Sequence, residues 1–223
     1  MSPIPRLFPL VSADVALFSV EQDALQVLLV QRAEEPEQHR WALPGAVLKP
    51  DRDQDLEVTA RRALRDKISV DVPYLEQVRT FSGKDRDPRG WSIGVLFYAL
   101  LPQHLVNAVV KRKVEAVKWA PVSKIGTKLA FDHGAQLATA LQLLRDKVAR
   151  HALPLHLLSE NFTLTELQRS CELILGEPMD KSVFRRRLKG SADLVEVEGK
   201  FALGPQRPAQ LYKARDGFEF SAQ

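Results

Sequence analysis

The chain has 223 residues, 45% of them hydrophobic and 27% charged, with 32 Lys and Arg against 28 Asp and Glu. That length accommodates one large or two modest domains, and that composition excludes a disordered, collagen-like or membrane-spanning chain. The net charge of +4 permits an anionic partner without requiring one, because the clustering of charge governs nucleic-acid binding more than its total.

The amino terminus, Met1 to Leu10, has two prolines before Leu7 and no long apolar run, and Asp14 interrupts the next apolar stretch. Neither a signal peptide nor a membrane anchor is expected. Val15 to Val20 and Leu25 to Val30 flank Glu21, Gln22 and Asp23 and read as strand, turn, strand. Trp41-Ala42-Leu43-Pro44-Gly45 then leads through a short apolar piece into the polar stretch Asp51 to Asp55. Leu56, Ala60, Leu64 and Ile68 recur at steps of four, which predicts a helix over 56–68. Strands are expected at Tyr74 to Phe81 and Trp91 to Leu101, across an Arg-, Asp- and Gly-rich loop from Ser82 to Gly90, and again at Ala116 to Val122. Leu137, Leu141, Leu144 and Val148 mark an amphipathic helix from about His133 to Ala152, stopped by Pro154. A boundary near His151 to Ser159 divides the chain into domains 1–153 and 154–223.

The second domain opens on a helix-start signal: Thr163 as N-cap, Glu166 as its reciprocal partner, and Phe162 placed to staple against Leu167. Asp180 caps a second helix, Lys181 to Lys189. Short strands follow at Leu194 to Val197, Phe201 to Leu203 and Ala209 to Tyr212. Helix, helix and β-ribbon is the order of a winged helix, whose first helix is either Leu155 to Leu158 or the end of the preceding helix. On the second helix Phe184 and Leu188 face inward, while Ser182, Arg185, Arg186 and Lys189 share the opposite face. Residues 159–180 carry a net charge of −4 and residues 181–215 a net charge of +6, so positive charge concentrates on this helix and the ribbon. Arg and Lys there can contact phosphates or the acceptor edge of guanine. Thr163, Lys181, Ser182, Arg185, Arg186, Lys189 and Arg207 are the candidate DNA contacts. The only cysteine, Cys171, lies on the apolar stripe Leu164, Leu167, Cys171, Ile174 and reads as a buried thiol, which excludes a disulfide and fits a reducing cytoplasm.

Leu43-Pro44-Gly45-Ala46, the polar loop and a helix with Arg62, Leu64, Asp66 and Val70 resemble the Nudix box of hydrolases that cleave nucleoside diphosphates linked to another moiety. That resemblance implies three carboxylates on one helix face, holding Mg²⁺ against a diphosphate. Here those positions read Ala63, Asp66 and Lys67. One carboxylate beside an ammonium cannot build an oxygen cage for a metal, because Lys offers only donors and repels the cation. No catalytic residue and no metal site are therefore expected. Lys67 instead supplies positive charge for a diphosphate that stays intact.

With the further segments Asp87-Pro88-Arg89-Gly90-Trp91, Leu129-Ala130-Phe131-Asp132-His133, Phe162-Thr163-Leu164-Thr165-Glu166-Leu167-Gln168, Phe184-Arg185-Arg186-Arg187 and Arg207-Pro208-Ala209-Gln210-Leu211-Tyr212, the chain resembles the Nudix-related transcriptional regulators of NAD metabolism, the NrtR family. The resemblance covers nearly the whole sequence. It implies an α+β chain: a Nudix-like α/β/α sandwich followed by a winged helix-turn-helix domain. It implies a homodimeric repressor that binds a palindromic operator near genes of NAD synthesis or salvage, and that releases it when ADP-ribose or a related nucleotide effector binds, without any required cofactor. The candidate ligand-binding residues are Lys67 and Asp66, Arg89 for phosphate or ribose, and Trp91 or Phe131 as an adenine platform. The competing expectation is an ADP-ribose pyrophosphatase with displaced metal ligands, Asp66 together with Asp51, Asp53, Asp55 or Glu57.

Overall fold

The computed structural model describes residues 8–106, 113–125, 128–189, 191–202 and 208–220. Strands β1 (Leu10–Glu21) and β2 (Ala24–Arg32) form the expected hairpin, turning at Gln22 and Asp23 with φ of 50° and 56°, the paired left-handed values of a tight hairpin loop. There follow β3 (Trp41–Ala42), β4 (Gly45–Val47), α1 (Leu56–Ile68), β5 (Leu75–Gly83), β6 (Ser92–Leu100), β7 (Val114–Pro121) and α2 (His133–Ala149). The main path of the sheet runs β3-β2-β1-β6-β5, with β4 on β1 and β7 on β2. β1 and β6 are parallel, from Leu10 opposite Ser92 to Phe18 opposite Leu100; β6 is almost wholly buried, and β1 is buried from Ala13 to Ser19. Burial on two faces hides the alternation that would mark an amphipathic strand.

Alternate residues of the sheet serve two layers. Ala13, Val15, Leu17, Val95, Phe97 and Ala99 pack with Ala60, Leu64 and Ile68 of α1. Ala16, Phe18, Leu96, Tyr98 and Leu100 pack with Leu137, Ala140, Leu144 and Val148 of α2. This is the α/β/α sandwich. Helix α1 begins where Asp55 accepts a 2.7 Å hydrogen bond from the Val58 amide, and ends at Ser69, whose φ is 58°. Helix α2 stops at Ala149, three residues short of the sequence expectation; Ala152 and Leu153 beyond it are buried in the core.

The second unit comprises a 3-10 turn at Leu155–Leu157, then β8 (Phe162–Thr163), α3 (Leu164–Leu175), α4 (Lys181–Leu188), β9 (Leu194–Ala202) and β10 (Ala209–Ala214), with sheet order β8-β10-β9. The capping box is present in full: Thr163 accepts from the Glu166 amide, and Glu166 accepts from the Thr163 amide at 2.7 Å. Between α2 and β8 the described residues form only that 3-10 turn. The ribbon's leading strand runs unbroken through Gly199, where the sequence suggests two pieces; Leu203 lies outside the described residues.

The two units share a hydrophobic cluster in which Leu155, Leu157, Phe162, Leu167, Phe184 and Phe220 join Phe18, Leu25 and Tyr98. Arg145 of α2 donates to the Ile174 carbonyl of α3 at 2.9 Å, and Lys147 donates to the Phe220 carbonyl at 3.0 Å while meeting Glu76 of β5. Tyr74 stacks on His156 between them, ring centroids 4.9 Å apart. No described helix is long and apolar enough to cross a membrane.

Candidate functional site

A cavity of about 570 Å³ lies between the last turns of α1, the start of β1 and β4, the loop after β2, the β5–β6 loop and the start of α2. Its volume falls within the range of small-molecule sites. Cations dominate its lining: Arg32, Arg62, Lys67, Arg86, Arg89 and Lys113 are among them. Most are already paired. Arg62 makes two short bonds to Asp53, at 2.7 and 2.6 Å, and donates to the Val47 carbonyl at 2.9 Å. That clamp holds Asp53 well below the usual carboxylate range, chiefly through the hydrogen bonds from Arg62. Arg86 grips both carboxylate oxygens of Asp132, each at 2.9 Å, and its guanidinium lies over Gly94, where a Cβ would come within 2.5 Å of Nη2. Arg89 pairs bidentately with Asp87 at 3.0 and 2.6 Å, and Lys113 pairs with Glu34 at 2.8 Å.

Arg32 and Lys67 stand apart as half-buried cations of the cavity with no carboxylate within 4 Å among the described residues. Arg32 donates to the Pro36 carbonyl and lies 4.8 Å above the Phe131 ring. Burial, reinforced by Arg32, pushes the Lys67 ammonium down to about 8, against the opposing pull of Asp14. At the cavity floor His133 is buried; its Nδ1 accepts from the Leu43 amide at 2.9 Å and its Nε2 faces Asp14 at 3.8 Å. Burial lowers its pKa, so the ring is neutral at pH 7 and its proton sits on Nε2.

The expected ligand residues are thus largely gathered. Lys67, Asp66, Arg89 and Phe131 all line the cavity. Trp91 is not among the lining residues: it is 52% exposed, and its carbonyl accepts from the Leu10 amide at 3.1 Å. Of the other acids, Asp53 is held by Arg62, which also reaches Asp66 at 3.7 Å, while Asp55 caps α1, Glu57 pairs with Arg61 at 3.0 Å, and Asp51 faces Arg52. Among the described residues no three of His, Cys, Asp and Glu gather into a possible metal site. Asp14 and His133 were not anticipated as site residues: a lone Asp in an apolar strand and one His of five carry no spacing signal.

A second candidate surface is α4. Lys181, Ser182, Arg185, Arg186 and Lys189 are exposed, and the four cations make no ion pair within 4 Å among the described residues. Phe184 and Leu188 are buried, as the periodicity requires. Ser182 is partly committed, donating to Asp180 at 2.6 Å. Thr163 is 8% exposed, and its hydroxyl both accepts from the Glu166 amide and donates to the Glu166 carboxylate. Arg207 lies outside the described residues. Two apolar residues of this unit are also exposed, Val183 at 49% on α4 and Phe201 at 51% near the end of β9. The turn presenting α4 is pinned by Glu172, which accepts from the Met179 amide at 3.0 Å and from Gln168.

Sheet, cavity and basic helix together define a Nudix domain carrying a winged helix. Residues 9–143 match the NUDIX domain model and residues 154–214 the NrtR DNA-binding winged helix domain. The chain belongs to the NrtR family. It is 40% identical, over 215 residues spanning 96% of this chain and 85% of the relative, to the Acinetobacter baylyi ADPR responsive transcriptional repressor NtrR. It is also similar to Shewanella oneidensis NrtR solved with a 27mer DNA, with 36% identity, a TM-score of 0.82, and 92% of this chain and 93% of the other covered. The isolated NUDIX domain of that protein, solved with ADP ribose, matches with 35% identity and a TM-score of 0.58 over 65% of this chain and 94% of the other.

Proposed function

We propose that this protein is a DNA-binding transcriptional repressor whose Nudix domain binds ADP-ribose and does not hydrolyse it. The observation that carries the reading is the cation-rich cavity whose α1 face offers Ala63, Asp66 and Lys67 in place of three carboxylates, joined to an exposed basic helix. These residues do not fit a divalent metal, because an ammonium stands beside the single carboxylate. Arg89, Lys67 and Arg32 take the diphosphate, Phe131 flanks the ligand, and the family's effector and DNA partners support the assignment.

Helix α2 couples the two sites. Its first turn carries Asp132 and His133 at the cavity, and its last turns carry Arg145 and Lys147 against α3 and the carboxyl-terminal segment. An effector that rearranges the Arg86–Asp132 pair shifts α2 and with it the reading helix. By linkage, operator DNA then weakens ADP-ribose binding by the factor by which ADP-ribose weakens operator binding. The protein acts in the cytoplasm as a homodimer on a palindromic operator of NAD synthesis or salvage genes, one α4 per half-site. Selection of bound genomic fragments with and without ADP-ribose tests this reading. Fragments retained only without ADP-ribose are expected, and undiminished binding at saturating effector refutes it. Incubation with ADP-ribose and Mg²⁺ or Mn²⁺ is expected to release no AMP.

A further inference from the structure

We propose that Asp14 is the specificity-determining acceptor of the cavity, taking the hydroxyl donors of the effector's ribose while Lys67 and Arg32 take its phosphate. The inference rests on the cavity being the effector site.

Asp14 is 5% exposed and lines the cavity on the face of β1 that meets α2. A carboxylate offers about four acceptor positions. Among the described residues Asp14 receives one hydrogen bond, from Gln136 Nε2 at 3.4 Å, and that amide gives its shorter bond, 2.8 Å, to Asp132. His133 Nε2 at 3.8 Å is beyond hydrogen-bond reach. A buried carboxylate so thinly partnered is costly. The chain nevertheless makes room for it: a Cβ on Gly45 would lie 2.0 Å from Asp14 Oδ1, so a glycine follows Leu43 and Pro44 there.

Asp14 also opposes the cavity's main electrostatic character. A site selected only for phosphate gains nothing from a buried negative charge, which repels phosphate and lowers affinity. A site selected for a phosphorylated sugar gains an oriented acceptor, and the bonds it accepts are charge-assisted. His133 completes the arrangement: locked by the Leu43 amide into the Nε2–H form, it supplies a neutral donor beside the acceptor. Donor next to acceptor matches a sugar hydroxyl, which does both.

The test is Asp14→Asn, an isosteric change, measured by calorimetric titration with ADP-ribose and with inorganic pyrophosphate, which has phosphate but no hydroxyl attached to carbon. ADP-ribose affinity is expected to fall about 10- to 100-fold, while pyrophosphate affinity holds or rises as like-charge repulsion disappears. A parallel loss for both ligands, as a merely structural role would give, overturns the proposal; so does unchanged ADP-ribose affinity, or a parallel gain for both. Wild-type protein that fails to bind ADP-ribose overturns the effector reading itself, a result distinguishable from either. If a thermal melt finds Asp14→Asn unfolded, Asp14→Ser carries the same comparison.

Discussion

Replacing Lys67 by Met is expected to make the protein more stable and the sensor weaker. The substitution keeps the length of the aliphatic stem and removes the ammonium. The drop from an ordinary lysine's 10.5 to about 8 corresponds to roughly 3 kcal/mol of unfavourable burial, at about 1.4 kcal/mol per tenfold. Residual solvent contact of Lys67 makes that an upper bound. In a chain of this length, removing it raises the melting temperature by up to about 10 °C. The pH dependence identifies the cause. Below pH 8 the group is charged in folded and unfolded chains alike, and the full penalty applies. Between pH 8 and 10.5 the unfolded chain holds more protons at this position, so wild-type stability rises with pH and the advantage of Lys67→Met shrinks. ADP-ribose affinity at pH 7 falls about 10- to 100-fold, because the variant loses a charge-assisted contact to the diphosphate. Thermal melts at pH 7 and pH 10, with and without ADP-ribose, measure both effects. A variant no more stable than wild type at pH 7, or one whose advantage is the same at both pH values, refutes the reasoning.

Arg185→Ala and Arg186→Ala should each weaken operator binding without lowering stability by more than about 0.5 kcal/mol, since both side chains are exposed and unpaired within 4 Å among the described residues. If either contacts a phosphate, the slope of log affinity against log salt becomes shallower by about one. Thr163→Ala should cost about 1 kcal/mol of stability through the lost cap and leave the salt dependence of DNA binding unchanged; a shallower salt slope would return Thr163 to the DNA contacts.

Local signals were the legible ones. The steps of four from Leu56 to Ile68 and the Thr163–Glu166 box each rest on residues a few positions apart, and the helices lie where those signals place them. The apolar run marks β1 only from Val15, because Ser12, Ala13 and Asp14 interrupt it, and their extended state is fixed by β6, some eighty residues away. The cavity depends on similar long-range pairings, Arg86 with Asp132 and Leu43 with His133. The resemblance to the Nudix box could nominate Lys67, since it stands where the box has a carboxylate. It could not separate Phe131 from Trp91, two aromatics next to promising loops, because only the tertiary fold turns one inward.

Helix α2 has 17 residues and so is about 25 Å long, with polar bonds at both ends and no described glycine or proline beyond its second residue to absorb strain. A rod of that kind transmits angle. A tilt of about 5° at the cavity displaces the far end by about 2 Å, comparable to the shifts that switch packed interfaces. On the two-fold operator proposed for this protein the error doubles, because each protomer of the proposed dimer swings its own reading helix and half-site spacing is set by the DNA helical repeat. Sub-ångström adjustments around a small nucleotide therefore suffice, and the sensing pocket can remain nearly rigid while the distance between the two reading helices of that proposed dimer changes.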